Sequence, residues 1–103
     1  MDNLKIANKD YPFDITARGM LNVEGAKIEL SKVAATEFEA LRFAYQVCKG
    51  ACSFVETEFK YDFNAFVDKV EVGVFVKARA LAETLVPKAA INKAEAEKTE
   101  KKN

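Results

Sequence analysis

The chain has 103 residues, half of them apolar, and it contains eight Phe, three Tyr and no Trp. This length suits one compact domain, and this composition is too apolar for a chain that stays disordered. Sixteen basic residues balance sixteen acidic ones, so no global field attracts a polyanion, and we expect no nucleic-acid partner.

The first predicted element is a β-hairpin over about residues 3–16. In "LKIANKDYPFDIT" apolar and polar residues alternate on both sides of Asn8-Lys9-Asp10, which are residues that tolerate turn dihedrals. Pro12 cannot donate to a strand ladder, so the second strand should lie at a sheet edge. Because an isolated hairpin is only marginally stable in water, we expect helices to cover its apolar face.

Two short segments follow the hairpin. The stretch "ARGMLNVEG" predicts a helix over about residues 17–24, ended by Gly25 in the left-handed backbone region. In "AKIELSKVAA" the residues Ile28, Leu30 and Val33 have the spacing of an extended or irregular link that touches the core. We therefore expect one helix and one non-helical connection in this part of the chain.

A longer pattern predicts a central helix over residues 37–55. Thr36 and Glu39 have the form of a capping box, in which each side chain binds a free backbone N–H at a helix start. Steps of three and four then predict a buried stripe, widened by flanking apolar positions: Phe38, Leu41, Tyr45, Cys48, Cys52 and Val55, with Ala40, Ala44, Val47, Ala51 and Phe54 beside them. Gly50 costs roughly 1 kcal/mol inside a helix, yet the period continues past it, so the helix should continue too.

Two further helices follow the aromatic connector "VETEFKYDF", in which Phe59 and Tyr61 should point inward. Asp62 can cap a helix over about residues 62–71. The stretch "GVFVKARALAETLV" predicts a last helix over residues 73–86, which Pro87 ends.

These elements predict a single α+β domain over residues 1–87. It should be mainly helical, with the N-terminal hairpin packed on three to four helices. Residues 88–103 are mostly Ala, Lys and Glu with one large apolar residue, so we expect a charged, flexible or frayed-helix tail there.

The two cysteines, Cys48 and Cys52, lie four residues apart on the predicted central helix. Zinc sites commonly use four ligands, and the chain has no histidine and no further cysteine. A disulfide needs Cα atoms within about 6.8 Å, which positions i and i+4 of a straight helix reach only marginally. We expect small apolar core residues that let a neighbouring helix approach, with a metal clip or a redox pair as the alternatives.

The inventory of reactive groups argues against catalysis. The chain has no histidine, and its four glycines form neither a phosphate-binding loop nor a nucleophile elbow. Carboxylate pairs such as Glu56 with Glu58 lie in polar surroundings, which favours an exposed face over an acid/base dyad. We expect no enzyme, no cofactor and no metal site.

No stretch of about 18 consecutive apolar residues occurs, and the N-terminus carries charges every few residues rather than an apolar run. The sequence therefore predicts a cytoplasmic protein without a membrane partner.

Five aromatic residues fall within the thirteen positions from Phe54 to Phe66. Core packing is one interpretation. A partly exposed groove for a partner is the other, with these candidate residues: Phe54, Phe59, Tyr61 and Phe63.

Several stretches occur in a familiar order: "IANKDYPFDIT", "GMLNVEG", "KIELS", "EALRFAYQVCKGA", "EFKYDFNAFVDKV" and a final amphipathic helix. Over about residues 4–86, this order resembles the tail assembly chaperones of long-tailed bacteriophages and prophages. The resemblance implies a non-catalytic protein of the host cytoplasm that binds the tape measure protein and helps recruit tail tube subunits. It also implies a possible homo-oligomer, and a place after Pro87 where a frameshifted longer form would begin.

Other classes of function remain open. A small regulatory or inhibitor protein of a mobile element would block a host factor through the same helical surface, and genes for regulators rather than tail proteins would then lie beside it. A small transcription factor would need a basic recognition helix, whereas the central helix carries only Arg42 and Lys49 against Glu37 and Glu39.

Overall fold

The computed structural model describes residues 2–86 as a two-stranded hairpin followed by helices. The elements, in chain order, are β1 (Asp2–Ile6), β2 (Lys9–Phe13), α1 (Ala17–Gly25), α2 (Leu30–Val33), α3 (Glu37–Phe54), α4 (Phe63–Lys69) and α5 (Val74–Leu85). The predicted α+β class, mainly helical with an N-terminal hairpin, is confirmed. The tail predicted over residues 88–103 lies outside the described residues.

The hairpin turns at Ala7-Asn8, so the prediction of a turn at Asn8-Lys9-Asp10 was wrong. Ile6 pairs directly with Lys9, and φ is 53° at Ala7 and 65° at Asn8. Two positive φ angles are typical of a type I′ turn, whose twist matches that of the paired strands. The alternation itself was predicted correctly, because one face of the hairpin is buried: Leu4, Ile6, Tyr11 and Phe13.

Both edges of the hairpin are occupied. On the outer edge of β1, the Lys5 carbonyl accepts from the Glu71 N–H at 2.9 Å, and the Lys5 N–H donates to the Glu71 carboxylate at 2.6 Å. Successive residues of a strand direct their N–H and C=O groups alternately toward and away from the partner strand, and those of Pro12 are directed away from β1. The N–H that proline lacks is therefore not needed for a hydrogen bond between the two strands. The Cys48 thiol donates to the Pro12 carbonyl at 3.4 Å. As predicted, β2 is an edge strand, since β1 is its only strand partner within residues 2–86.

Helix α3 passes through the middle of the core, and α1, α5 and β2 pack against it. Its central turns are buried, including Phe43, which the predicted stripe omitted. Both ends of that stripe were wrong, because Phe38, Phe54 and Val55 are 60%, 71% and 43% exposed. The neighbouring elements cover only the middle of this 18-residue helix, so apolar residues in its first and last turns stay at the surface.

Helices α1 and α3 cross at Gly19 and Gly50. A Cβ atom added to Gly50 would lie 2.4 Å from both the Cα and the N atom of Gly19, so the two backbones are in direct contact. Helix α3 continues through Gly50, as its period predicted. The close approach of a neighbouring helix therefore depends on this glycine pair more than on the cysteines beside it.

The end of α1 differs from the prediction. Gly25 is still helical, and the left-handed residue is Lys27, with φ of 57°. The Lys27 N–H donates to the Glu24 carbonyl at 3.0 Å, and the Ile28 N–H donates to the Val23 carbonyl at 3.1 Å. These two bonds form a Schellman motif, and Val23 and Ile28, the residues joined by the second bond, are both buried in the core.

The segment predicted as an extended or irregular link contains α2, a single helical turn. This turn buries Val33 and packs Leu30 against the core, which an extended chain with the same spacing would not do as compactly. The predicted cap of α3 is half formed: the Thr36 hydroxyl accepts from the Glu39 N–H at 3.1 Å, whereas the Glu39 carboxylate binds Arg42 at 2.8 Å.

Helix α4 begins as predicted, because the Asp62 carboxylate accepts from the Ala65 N–H at 2.7 Å. It ends at Lys69, two residues before the predicted end. Val70 instead forms an isolated antiparallel bridge with Ile6, which ties the entrance of α5 to the hairpin.

Candidate functional site

The cysteines are free thiols with no exposed surface. A hydrogen bond with Cys52 and burial raise the pKa of the Cys48 thiol far above its ordinary value. The Cys48 thiol is therefore held in its protonated form, which makes it a poor nucleophile and a poor metal ligand. Within residues 2–86 no group of three or more His, Cys, Asp or Glu could hold a metal ion. Both cysteines lie in the buried core, which is where the interpretation as small apolar residues placed them.

Tyr45 of α3 is the centre of an aromatic cluster. Its ring packs edge-to-face on Phe59, Phe63 and Phe66, with centroid distances of 5.6, 5.7 and 5.4 Å. Phe66 is fully buried and Phe59 is half-buried against the core. For these two phenylalanines the core-packing interpretation is correct, and edge-to-face pairs of this kind add to the stability given by burial.

Tyr61 joins the connector to the hairpin. The hydroxyls of Tyr61 and Tyr11 are 3.3 Å apart, and the Tyr45 hydroxyl donates to the Tyr61 carbonyl at 3.0 Å. The hydrogen bond with Tyr61, followed by burial, raises the pKa of Tyr11 to about 12. Tyr61 therefore has a structural role, and the Tyr11 phenol is neutral at physiological pH.

The four candidate partner-binding residues do not form one surface. Phe59, Tyr61 and Phe63 lie together around Tyr45, whereas Phe54 is the last residue of α3 and is 71% exposed. Of the three that lie together, Phe63 borders an open recess.

This recess, which we call the α3 recess, has a volume of about 220 Å³ and is lined by Ala26, Phe38, Arg42, Tyr45, Gln46 and Phe63. The Phe38 and Phe63 rings meet edge-to-face at 6.0 Å, and the Arg42 guanidinium lies 5.7 Å from the Phe38 ring centre. Arg42 also binds Glu39 and the Ala26 carbonyl, which fixes its position. Phe38 was not among the predicted site residues, because the helical spacing of this residue assigned it to the core.

A second concave surface, which we call the α5 groove, lies between α5 and the hairpin. It has a volume of about 270 Å³ and is lined by Asp2, Phe13, Val76, Lys77, Ala80, Leu81 and Thr84. Val76 is 74% exposed, and Val72, one turn earlier, is 82% exposed. The Lys77 ammonium is already held by the Asn3 carbonyl at 2.8 Å and by the Glu71 carboxylate at 3.3 Å.

The signal for the α5 groove was present in the sequence. Val76 and Ala80 are four residues apart, on the face of α5 opposite to the buried Val74 and Ala78. A helix that has apolar residues on two opposite faces either buries both faces in the core or uses the exposed face to bind a partner.

Both surfaces can bind apolar side chains, and neither contains a buried titratable group directed into it.

Along residues 2–86, no helix combines the length and the apolar character required to cross a bilayer. No protein-family model matches the chain, and no curated protein and no solved structure matches it either.

Proposed function

We propose that this protein is a tail assembly chaperone of a long-tailed phage or prophage. It acts in the host cytoplasm, binds the tape measure protein, keeps its hydrophobic helices soluble and helps recruit tail tube subunits, without catalysis. The proposal rests on the resemblance over residues 4–86. One structural observation supports it most: Val76 of α5 is 74% exposed and lines an apolar groove, and Val72, just before the helix, is 82% exposed.

An apolar client helix suits the α5 groove physically. Burial of an exposed valine contributes roughly 1.5–3 kcal/mol, and a helix laid along α5 would cover both Val72 and Val76. Ala80 and Leu81 supply further apolar surface in the groove. Because Lys77 is bound by Glu71, a client could cover it without leaving an unpaired ammonium in the interface.

The test is co-expression with the tape measure protein encoded near this gene. The wild-type chain should keep the tape measure protein soluble and copurify with it. Val76→Asp should abolish both effects, because a carboxylate in the centre of the apolar face costs more to desolvate than the contact returns. Leu21→Asp is the matched control: Leu21 is 59% exposed on α1 and does not line the groove, so this variant should bind normally.

Two outcomes would contradict the proposal. One is a tape measure protein whose solubility does not depend on the wild-type chain. The other is a Val76→Asp variant that binds as well as the wild type does. In the first case, neighbouring genes for regulators would direct attention to the alternative, a regulatory or inhibitor protein of a mobile element.

A further inference from the structure

We propose that the segment after α5 folds back and inserts the Ile91 side chain into a groove between α2 and α5. This groove, which we call the α2 groove, has a volume of about 220 Å³ and is distinct from the α3 recess and the α5 groove. The proposal does not rest on the chaperone function, because it involves neither the α5 groove nor any client.

The walls of the α2 groove are mainly apolar and incompletely covered. Leu30, Ser31 and Ala34 form the side next to α2, and the side next to α5 includes Ala82 and Val86. Leu30 and Val86 are only half-buried, and Ala34 is exposed. Because an apolar cavity of roughly 150 Å³ in another protein binds benzene, a groove of this size has room for one branched aliphatic side chain.

The chain leaves α5 at the wall of this groove. Val86 is both the residue that caps the C-terminus of α5 and a lining residue of the groove. Its ψ of 115° is extended, which is the conformation favoured before a proline such as Pro87. Proline cannot continue the hydrogen bonding of a helix, so the segment that follows starts at the groove itself.

The length of this segment is sufficient for Ile91 to reach the whole groove. Arg79 and Val86 both line it and are seven residues apart on α5, so the groove extends about 10 Å along the helix. The five residues from Val86 to Ile91 span at most about 17 Å. Such a short tether gives an effective concentration on the order of millimolar, which favours Ile91 over a group on another molecule.

Ile91 is the group of this segment that gains most from burial. Residues 88–94 read "KAAINKA", and Ile91 is the large apolar residue of residues 88–103. The segment thus offers one side chain for burial, and the groove has room for one. A single anchor also agrees with the composition of residues 88–103, which is too polar for an extended buried face.

The charges around the α2 groove do not oppose this contact. Two ion pairs border it, Lys32 with Glu29 at 3.5 Å and Arg79 with Glu37 at 3.6 Å, and the charges within each pair cancel. Glu83 on the wall leaves one negative charge in excess. Residues 88–94 carry two lysines and no acidic residue, so the segment is attracted weakly rather than repelled.

Methyl NMR spectroscopy on the full chain tests the contact directly. The δ1 methyl group of Ile91 should give nuclear Overhauser effects to the methyl groups of Leu30 and Ala34, and the Ile91→Ser variant identifies its signal. Ala34→Asp should abolish the effect between Ile91 and Leu30, because an isoleucine does not pack on a carboxylate that remains hydrated. Ala34 is exposed, so the circular dichroism of this variant should match that of the wild type.

Amide hydrogen exchange measures what the contact does to α2. The N–H groups of Ala35 and Thr36 donate to the Lys32 carbonyl at 3.0 and 3.3 Å. Ile91→Ser removes the side chain that holds α2 against α5, so these two amides should exchange roughly fivefold faster or more. Ala96→Ser, a substitution in the same segment, is the matched control and should exchange like the wild type.

The inference is overturned if the Ile91 methyl group shows no Overhauser effect to the α2 groove. It also fails if that effect requires a high protein concentration, because Ile91 would then dock on another copy of the chain. Equal exchange of the Ala35 and Thr36 amides in Ile91→Ser and the wild type would likewise contradict it. None of these results depends on whether the chain binds a tape measure protein.

Discussion

Replacement of Gly50 by alanine tests whether the α1–α3 crossing limits the stability of this fold. The added Cβ would lie 2.4 Å from the Cα and N atoms of Gly19, whereas ordinary contacts begin near 3.4 Å. Because both atoms belong to the backbone of α1, no side-chain rotation relieves the clash, and the whole helix has to move by about 1 Å.

The magnitude follows from two opposing effects. Alanine in a helix interior is favoured over glycine by about 1 kcal/mol. Overpacking costs typically about 1–3 kcal/mol, and the upper part of this range applies where a rigid backbone is displaced. We expect a net loss of about 2 kcal/mol in the free energy of unfolding, or about 10 °C in melting temperature for a domain of this size.

Urea and thermal unfolding followed by circular dichroism measure this loss. Gly25→Ala is the matched control, since no atom lies within 4 Å of its added Cβ and the residue is helical. That variant should gain up to about 1 kcal/mol from helix propensity. A Gly50→Ala chain as stable as the wild type would refute the inference that the two backbones touch.

Three further predictions concern single sites. Lys27→Gly should raise the unfolding free energy by a few tenths to about 1 kcal/mol in urea titrations, because φ is 57° there. The double variant Cys48→Ala/Cys52→Ala should lose about 1–3 kcal/mol yet retain the fold and client binding, and the wild-type thiols should react with alkylating reagents only on unfolding. Tyr11, whose pKa is raised to about 12 from 10.0, should stabilise the fold below pH 10. This stability should disappear as pH rises through 12, but not in Tyr11→Phe.

The elements with local causes were predictable. Alternation placed Leu4, Ile6, Tyr11 and Phe13 on the buried face of the hairpin. The Thr36 and Asp62 side chains cap α3 and α4 where the sequence placed them. These features depend on neighbours within a few residues, so the order of residue types is sufficient to recognise them.

The predicted helix ends were wrong where packing into the core decided the outcome. Helix α1 ends at a lysine in the left-handed region, with Val23 and Ile28 both buried, although a glycine lies two residues before that lysine. Helix α4 ends early because Val70 pairs with Ile6 of β1. This pairing of residues 64 positions apart cannot be inferred from spacing along the chain.

The candidate site, too, was predictable from the sequence only in part. The density of aromatic residues indicated an aromatic cluster, but Tyr45 of α3 organises it, and Phe54 lies outside it. Helical period assigned Phe38 to the core, whereas it lines the α3 recess. The helical period of apolar residues indicates which residues share a face of a helix, but it does not indicate how far the neighbouring elements extend along that face.

The sequence by itself determined the class of this fold, because alternation, helical period and caps are local properties, and it indicated that Cys48 and Cys52 are core residues. Only the tertiary structure decided which apolar residues remain at the surface. Val72, Val76, Phe38 and Phe54 have the same apolar character as the core residues beside them. Exposure depends on where the packed elements end, and that is settled by the assembled fold rather than by any local pattern.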